Sequence, residues 1–239
     1  YVTSHQDLSR YQALDKAQYS FITNVSHQLR TPLTNIKLYT QLLGGSVQQG
    51  KPAHYLHVLT SQADRLEHLV QDILELASLE SSEAALEWRS FNIADLILQL
   101  SEGNQSRARR QGTTLHCTIT ANDSCVTGDL SRLRQSLNEL LDNAFAYTSY
   151  GGQVCLGVAT TEQNGRQWIV VSVRDDGPGI PAQEQPHIFE RFFRGGLAEQ
   201  GHISGTGLGL CIAQQIIQAH RGHIMVESKP NEGTEFSVW

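Results

Sequence analysis

His27 lies in SHQLRTPLTNI, a segment from Ser26 to Ile36 that otherwise has the pattern of a long amphipathic helix. Thr31 follows four positions later, so a helix presents both side chains on one face. Pro32 offers no N–H to the carbonyl of Gln28, and a proline inside a helix costs about 3 kcal/mol. We therefore expect a kinked, locally loosened helix beside an exposed histidine. A lone histidine is more often an ordinary surface or packing residue, so the rest of the chain must decide its role.

Two clusters in the second half of the chain carry groups that suit a nucleotide. Glu139 and Asn143 are four positions apart in a helical segment, and a carboxylate with an amide oxygen on one face suits Mg²⁺ on phosphate oxygens. Asp175 follows a strand and precedes Gly177 and Gly179, where a carboxylate can accept a hydrogen bond from the amino edge of a purine. Taken alone, the first cluster is more often just a polar helix face, and the second is more often a simple turn.

A third cluster, Gly205-Thr-Gly207-Leu-Gly209, opens a helix, where glycines expose backbone N–H groups to a phosphate. Its glycines do not have the Rossmann spacing, and no Lys-Ser/Thr pair follows them as in a Walker A loop. The VAIK, HRD and DFG motifs of protein kinases are also absent from the sequence.

The elements that must position His27 are two helices. Apolar residues recur at steps of three and four along the first 80 positions: Ile22, Val25, Leu29, Ile36, Tyr39, Leu43, Leu56, Leu59, Ala63, Leu66, Val70, Ile73 and Ala77. A polar break at Gly44, Gly45, Gly50 and Pro52 divides them into an antiparallel hairpin. A lone hairpin leaves its seams open to water, so we expect two copies to form a four-helix bundle. In this register His27 points away from the seam.

The second half predicts an α/β sandwich, one sheet with helices on one face. Its predicted strands are Thr114–Ala121, Val154–Thr161, Trp168–Val173, Ile224–Ser228 and Thr234–Val238, and its predicted helices lie near Ile93–Gln111, Leu130–Tyr147 and Gly207–Arg221. The boundary between the halves is expected in the polar stretch Glu80–Glu87. The aperiodic stretch from Gly179 to Gly205 predicts a lid, which Phe189, Phe192 and Phe193 pin to the body through a short helical turn.

Composition narrows the class of protein. The chain has 239 residues, 39% hydrophobic and 18% charged, and its net charge of −6 argues against a nucleic-acid-binding role. The sequence contains no run of 18 apolar residues that could span a membrane, and it shows no signal peptide. A first residue other than Met indicates a piece of a longer protein. The four cysteines form no CxxC pair, which favours isolated reduced thiols over a zinc site or disulfides.

The order and spacing of these clusters strongly resemble the sensor histidine kinases of bacterial two-component systems. Ser26–Leu33 resembles the H box, Glu139–Thr148 the N box and Asp175–Ile180 the G1 box. Ile188–Arg194 resembles the F box and Gly205–Leu210 the G2 box, and the ending Gly233-Thr-Glu-Phe236 also matches. The resemblance covers the chain from about residue 15 to the end.

The resemblance implies an α+β protein: a dimerisation and phosphotransfer hairpin at residues 1–82, with an N-terminal signal helix, and an ATP-binding domain of the gyrase/Hsp90/MutL/kinase (GHKL, Bergerat) type at 83–239. It implies autophosphorylation of His27 from ATP and phosphotransfer to an aspartate of a response regulator receiver domain. Thr31 then takes part in dephosphorylating that regulator. The homodimer would make no contact with nucleic acid or, in this segment, with a membrane. It is expected in the cytoplasm, either as a separate protein or as the cytoplasmic portion of a membrane-anchored sensor.

The resemblance also assigns the binding residues. Asn143, with Glu139, would hold Mg²⁺ on the nucleotide phosphates, Asp175 would accept from the adenine amino group, and Tyr147 would lie against the base. Arg194 would reach the γ-phosphate or remain a solvated lid arginine. The remaining residues would shape the pocket and its lid hinges: Gly177, Gly179, Gly205, Thr206, Gly207, Leu208 and Gly209.

Two positions depart from the family pattern. Gln28 stands where an acidic residue is more usual, and an amide accepts a hydrogen bond but takes up no proton. Ala146 stands where many relatives have a basic residue near the phosphates, which predicts modestly weaker ATP binding. These departures keep a second hypothesis open, a nucleotide-binding scaffold or phosphatase-biased protein with weak kinase activity. A third, an ATPase or chaperone with the same nucleotide fold, has no use for an exposed histidine on a hairpin.

Overall fold

The structure, a computed structural model, describes residues 2–44, 52–80, 86–121, 124–163, 165–200, 203 and 205–239. Its contacts divide the chain into two compact units, Tyr1–Leu74 and Glu75–Trp239. Among the described residues, no helix is both long enough and apolar enough to cross a membrane.

Two long helices account for the described residues up to Glu80, as the heptad pattern predicts. Helix α1 spans Val2–Gly44 and α2 spans Pro52–Glu80. They run antiparallel, because Asn35 Nδ2 donates to Gln62 Oε1 at 3.4 Å while the ring of Tyr39 lies 5.6 Å from that of Tyr55. The predicted connection at Gly45 and Gly50 lies outside the described residues.

Helix α1 continues through Pro32, whose side chain is buried. The hydroxyls of Ser26 and Thr34 donate to the carbonyls of Ile22 and Arg30, each at 2.8 Å. Such bonds to the carbonyl one turn back often bend a helix. They flank His27 and support the expected kink, which stays a prediction.

The second unit consists of seven strands and four helices over the part of the chain described. Its strands are β1 Arg89–Asn92, β2 Thr114–Ile119, β3 Cys125–Gly128, β4 Gln153–Gln163, β5 Arg166–Asp175, β6 Ile224–Lys229 and β7 Gly233–Val238. Its helices are α3 Ile93–Gln111, α4 Leu130–Tyr147, α5 Gly196–Gln200 and α6 Gly209–Ala219, with a 3₁₀ turn at Gln185–His187. The sheet order is β2-β4-β5-β7-β6, in which only the β2–β4 pair is parallel.

One face of this sheet forms the core with α3, α4 and α6. Along β4, Val154, Leu156 and Val158 are buried and alternate with more exposed residues. Leu140 and Ile97 are fully buried among them. This confirms the predicted fold class, a helical segment followed by an α/β domain with helices on one face of a sheet.

The bounds of α3 and α4 agree with the prediction because local signals set them. Asn92 and Asp129 cap their N-termini by accepting backbone hydrogen bonds, and Gly112 ends α3 in the left-handed conformation. A second sheet, in which β1 pairs with β3, was not predicted. Each of these strands is only four residues long, too short for a clear alternation of apolar side chains.

Candidate functional site

Residues from separate parts of the second unit line one open cleft, with a cavity volume of about 220 Å³. Ten of the residues assigned from the sequence lie there: Glu139, Asn143, Tyr147, Asp175, Gly179, Arg194, Gly205, Thr206, Gly207 and Gly209. Two others lie outside the lining: Gly177 adjoins Asp175 and Tyr147, and Leu208 is fully buried. The fold therefore brings together clusters that the sequence separates by up to about 70 positions.

Asp175 ends strand β5 at the cleft and is only 3% exposed. Its Oδ1 accepts a hydrogen bond of 2.9 Å from the backbone N–H of Gly177. Burial raises its pKa to about 6, although hydrogen bonds from the backbone of Gly177 and Thr234 act in the opposite direction. A buried carboxyl with spare acceptor capacity suits the amino group of a base.

The turn after Asp175 packs tightly against the β6–β7 hairpin. Gly179 has φ +70°, and a Cβ there would overlap the backbone carbonyl of Lys229. The N–H of Ile180 donates to Ser228 Oγ at 2.8 Å, and this hydroxyl donates to the carbonyl of Gly233. These contacts fix the loop that borders the cleft.

Glu139 and Asn143 lie on the same side of α4, both half-buried. The carboxylate of Glu139 fills the space that a Cβ of Gly209 would occupy, at the first residue of α6. The missing side chain of Gly209 therefore lets the Glu139 carboxylate approach the N-terminus of α6, where the helix dipole favours negative charge. Among the described residues, no three His, Cys, Asp or Glu side chains cluster as a metal site. One carboxylate and one amide oxygen fit a Mg²⁺ ion that takes its other ligands from phosphates and water.

The Gly205–Gly209 segment enters α6 from the lid. Thr206 Oγ1 accepts from the N–H of Leu208 at 3.2 Å, which orients the turn before the helix. Gly207 has φ +76°, and a Cβ there would overlap the backbone of Phe192. Gly205 has open space around its Cβ position. Gly205, Gly207 and Gly209 line the cleft, and their predicted contact with phosphates through backbone N–H groups stays a prediction.

Tyr147, Glu184 and Arg194 lie close together at the base of the lid. Burial raises the pKa of Tyr147, while the charge of Arg194 acts to lower it and that of Glu184 to raise it. Arg194 Nη2 donates to the carbonyl oxygens of Ala198, at 3.2 Å, and Ile203, at 2.5 Å. In this structure Arg194 therefore binds the lid backbone, and its predicted contact with a γ-phosphate stays a prediction.

The lid is pinned by aromatic side chains, and two of the three expected ones pack on the core. Phe189 lies edge-on to Phe236 at 6.3 Å, and Phe193 packs against the same cluster. Phe192 instead has φ +63° at the turn beside Gly207. The lid also contains α5 and the 3₁₀ turn, and its positions 201, 202 and 204 lie outside the described residues.

Helix α1 presents His27 and Thr31 as exposed side chains, whereas Gln28 is half-buried. The heptad register predicts this outward orientation of His27.

Sequence reasoning missed several cleft residues, including Asp142, Glu184 and Thr234. Thr234 lies opposite Asp175 in the β5–β7 pair, a register that the sequence does not show. Asp142 directly precedes Asn143 in the sequence, so its place in the cleft could have been predicted from this motif. The four cysteines are free thiols, as predicted.

Both parts of the chain match known protein families. Residues 17–82 match the His Kinase A (phospho-acceptor) domain, and residues 128–239 match the histidine kinase-, DNA gyrase B-, and HSP90-like ATPase family. The sensor histidine kinase WalK of Bacillus subtilis is 30% identical over 233 residues, 95% of this chain and 37% of WalK. The chain thus spans little more than a third of that relative.

Two solved structures share the fold. Histidine kinase ThkA, in complex with the response regulator protein TrrA, is 25% identical with a TM-score of 0.73, over 97% of this chain and 66% of that one. Full-length ShkA in complex with AMPPNP is 27% identical with a TM-score of 0.65, over 92% and 45%. The matches to both family models and to these relatives show that this chain belongs to the sensor histidine kinases.

Proposed function

We propose that the chain transfers the γ-phosphoryl group of ATP to His27 and then to an aspartate of a response regulator receiver domain. The observation that carries this proposal is the single cleft, formed by the N-box, G1, lid and G2 residues, in a chain that also exposes His27. The solved relatives with AMPPNP and with a response regulator support the nucleotide and the partner.

ATP would bind with its base at Asp175 and its phosphates toward Glu139. Asp175 accepts a hydrogen bond from the amino group of adenine, and Tyr147 lies against the ring. Backbone N–H groups of Gly205, Gly207 and Gly209, the last at the start of α6, face the phosphates. Asn143 and Glu139 would hold Mg²⁺, which neutralises phosphate charge. Ala146 adds no cation, so ATP binding relies on the other groups.

In the phosphotransfer step, a nitrogen of His27 attacks the γ-phosphorus, the bond to the bridging oxygen breaks, and ADP leaves. The transition state is loose, so positioning and charge neutralisation supply most of the catalysis. Gln28 can accept a hydrogen bond from the second ring nitrogen but cannot take its proton. That proton therefore passes to water or to another base.

A homodimer follows from apolar side chains that a single chain leaves exposed. In α2 the seven-residue stripe is exposed at every position: Leu56, Ala63, Val70 and Ala77. The companion positions Leu59, Leu66 and Ile73 are half-buried. A second hairpin would cover the stripe in a four-helix bundle.

The proposal also includes the domain bounds, the role of Thr31 and the location of the protein. The phosphotransfer hairpin comprises residues 1–82 and the ATP-binding domain 83–239, with a boundary that lies outside the described residues. Thr31, exposed on the face of His27, would orient water to dephosphorylate the regulator. The core would act in the cytoplasm, without contact to nucleic acid.

The test is incubation of the chain with γ-labelled ATP and Mg²⁺. We expect an acid-labile, base-stable label that His27→Asn abolishes and that a receiver domain removes. Glu162→Gln, at an exposed position far from the motifs, is the matched control and should label like the wild type. A label that persists in His27→Asn would overturn the assignment of the phosphoacceptor.

The second candidate, a phosphatase-biased scaffold, is favoured by Gln28. A positioned base typically contributes about 10²–10⁴-fold to a rate. If the missing base limits the reaction, Gln28→Glu should raise the single-turnover autophosphorylation rate at unchanged ATP affinity. An unchanged rate would assign the limit to another step, and a wild type that binds ATP without labelling would support the scaffold.

A further inference from the structure

The cleft is lined by more negative than positive charge. Among the described residues, its charged lining consists of Glu139, Asp142, Asp175, Glu184 and Arg194. The one arginine donates to lid carbonyls. Such a lining repels the phosphates of a nucleotide, and positive charge from outside the lining would reduce this repulsion in addition to any bound Mg²⁺.

Helix α3 supplies a cation beside the cleft. Arg107 Nη1 forms an ion pair with Asp142 Oδ1 on α4. Its guanidinium carbon also lies 4.8 Å from the ring centroid of Phe145. Phe145 is buried in the core, so a cation–π contact with its ring holds the guanidinium in place. Asp142 therefore faces the cleft with its charge largely offset.

The course of α4 decides which part of a nucleotide Asp142 faces. At one end, the backbone carbonyl of Tyr147 adjoins Gly177 and thereby the site of Asp175. At the other, Glu139 reaches Gly209. Asp142 lies about 7.5 Å back along the helix axis from Tyr147, toward Glu139. A base at Asp175 thus places the phosphates on the side of Asp142.

We propose that Arg107 is a positioning residue for the nucleotide phosphates. It offsets the charge of Asp142 and adds positive potential at the phosphate end of the cleft, without lining the cleft itself. This inference rests on the proposed function, because it takes the base to lie at Asp175. Ala146, one turn beyond Asp142, lines the cleft without a charge, so the positive charge on this side comes from α3.

The experiment compares the affinities of ATP, ADP and adenosine by calorimetry at low salt. Arg107→Gln should weaken ATP binding roughly fivefold, ADP binding less, and adenosine binding not at all, since the effect scales with phosphate charge. Asp142→Asn should strengthen ATP binding, and the double variant should return close to the wild type. The changes in ATP affinity of both single variants should shrink in 0.5 M salt, because salt screens exposed charges.

Two control variants distinguish an effect of charge on ATP binding from an effect of altered structure. Arg107→Lys keeps the charge and should bind ATP nearly as the wild type does. Arg89→Gln removes an equal charge from the exposed Arg89–Glu87 pair, which does not line the cleft, and should not change ATP selectivity. If Arg107→Gln fails to fold, the ATP affinity of Asp142→Asn still decides.

Two results would overturn the inference: an equal loss for all three ligands in Arg107→Gln, or weaker ATP binding in Asp142→Asn. A wild type that binds no ATP would instead reject the proposed function.

Discussion

Asp175 shows how burial changes the chemistry of a single residue. Water is nearly excluded from its carboxyl group, and its pKa rises from 3.8 to about 6. Between these values the folded chain binds more protons than the unfolded chain does. The free energy of unfolding therefore falls as the pH rises through this range, by up to about 3 kcal/mol. The protein keeps this buried carboxylate at a cost in stability, which is typical of a binding residue.

Asp175→Asn should remove this pH dependence and weaken nucleotide binding. The unfolding free energy of the wild type should fall by up to about 3 kcal/mol from pH 4 to pH 7.5 through this residue, and that of the variant should not. Its ATP affinity at pH 7.5 should fall by about 1.5–3 kcal/mol, the range for a charged hydrogen bond. Urea unfolding followed by tryptophan fluorescence reports on the second unit, because Trp88, Trp168 and Trp239 all lie in it.

The exposed Asp95 in the first turn of α3 gives the control for binding, and Asp95→Asn should leave ATP affinity unchanged. Parallel pH profiles for the wild type and Asp175→Asn would contradict the burial of this charge.

At the scale of elements, the loop after β5 depends on close packing against the β6–β7 hairpin. Gly179 and Gly165 have the same φ of +70°, but their surroundings differ. A Cβ at Gly165 meets no atom within 4 Å, whereas one at Gly179 would overlap the carbonyl of Lys229. The pair separates the cost of a left-handed backbone from the cost of a steric overlap.

Gly165→Ala should lower the unfolding free energy by about 1–2 kcal/mol, the cost of a left-handed conformation for an L residue. Gly179→Ala should lower it further and also weaken ATP binding, because the loop must move away from the cleft that it borders. Urea unfolding and calorimetry of both variants provide the measurement. If both variants lost the same stability and ATP affinity were unchanged, the loop would be able to accommodate the Cβ at Gly179 without disturbing the cleft.

At the scale of the whole molecule, the exposed stripe of α2 predicts a dimer. Val70 is 47% exposed in the single chain, and Leu98 on α3 has a similar exposure of 45%. Only Val70 belongs to the seven-residue stripe.

Val70→Glu should therefore dissociate the dimer, because a second hairpin would bury its charge. Leu98→Glu should leave it intact. Sedimentation equilibrium over a range of concentrations measures the association, and circular dichroism checks that the helices persist. A wild type that stays monomeric at high concentration would contradict the dimer, as would a Val70→Glu chain that associates like the wild type.

The sequence by itself determined the features that depend on neighbours along the chain. The heptad register turned His27 outward, capping residues set the bounds of α3 and α4, and the order of the glycine and carboxylate motifs indicated the family. Only the tertiary structure decided the raised pKa of Asp175, the lid contacts of Arg194, and the Arg107–Asp142 pair across 35 positions. Solvent exclusion and through-space distance set these properties, and both arise only when distant segments pack together.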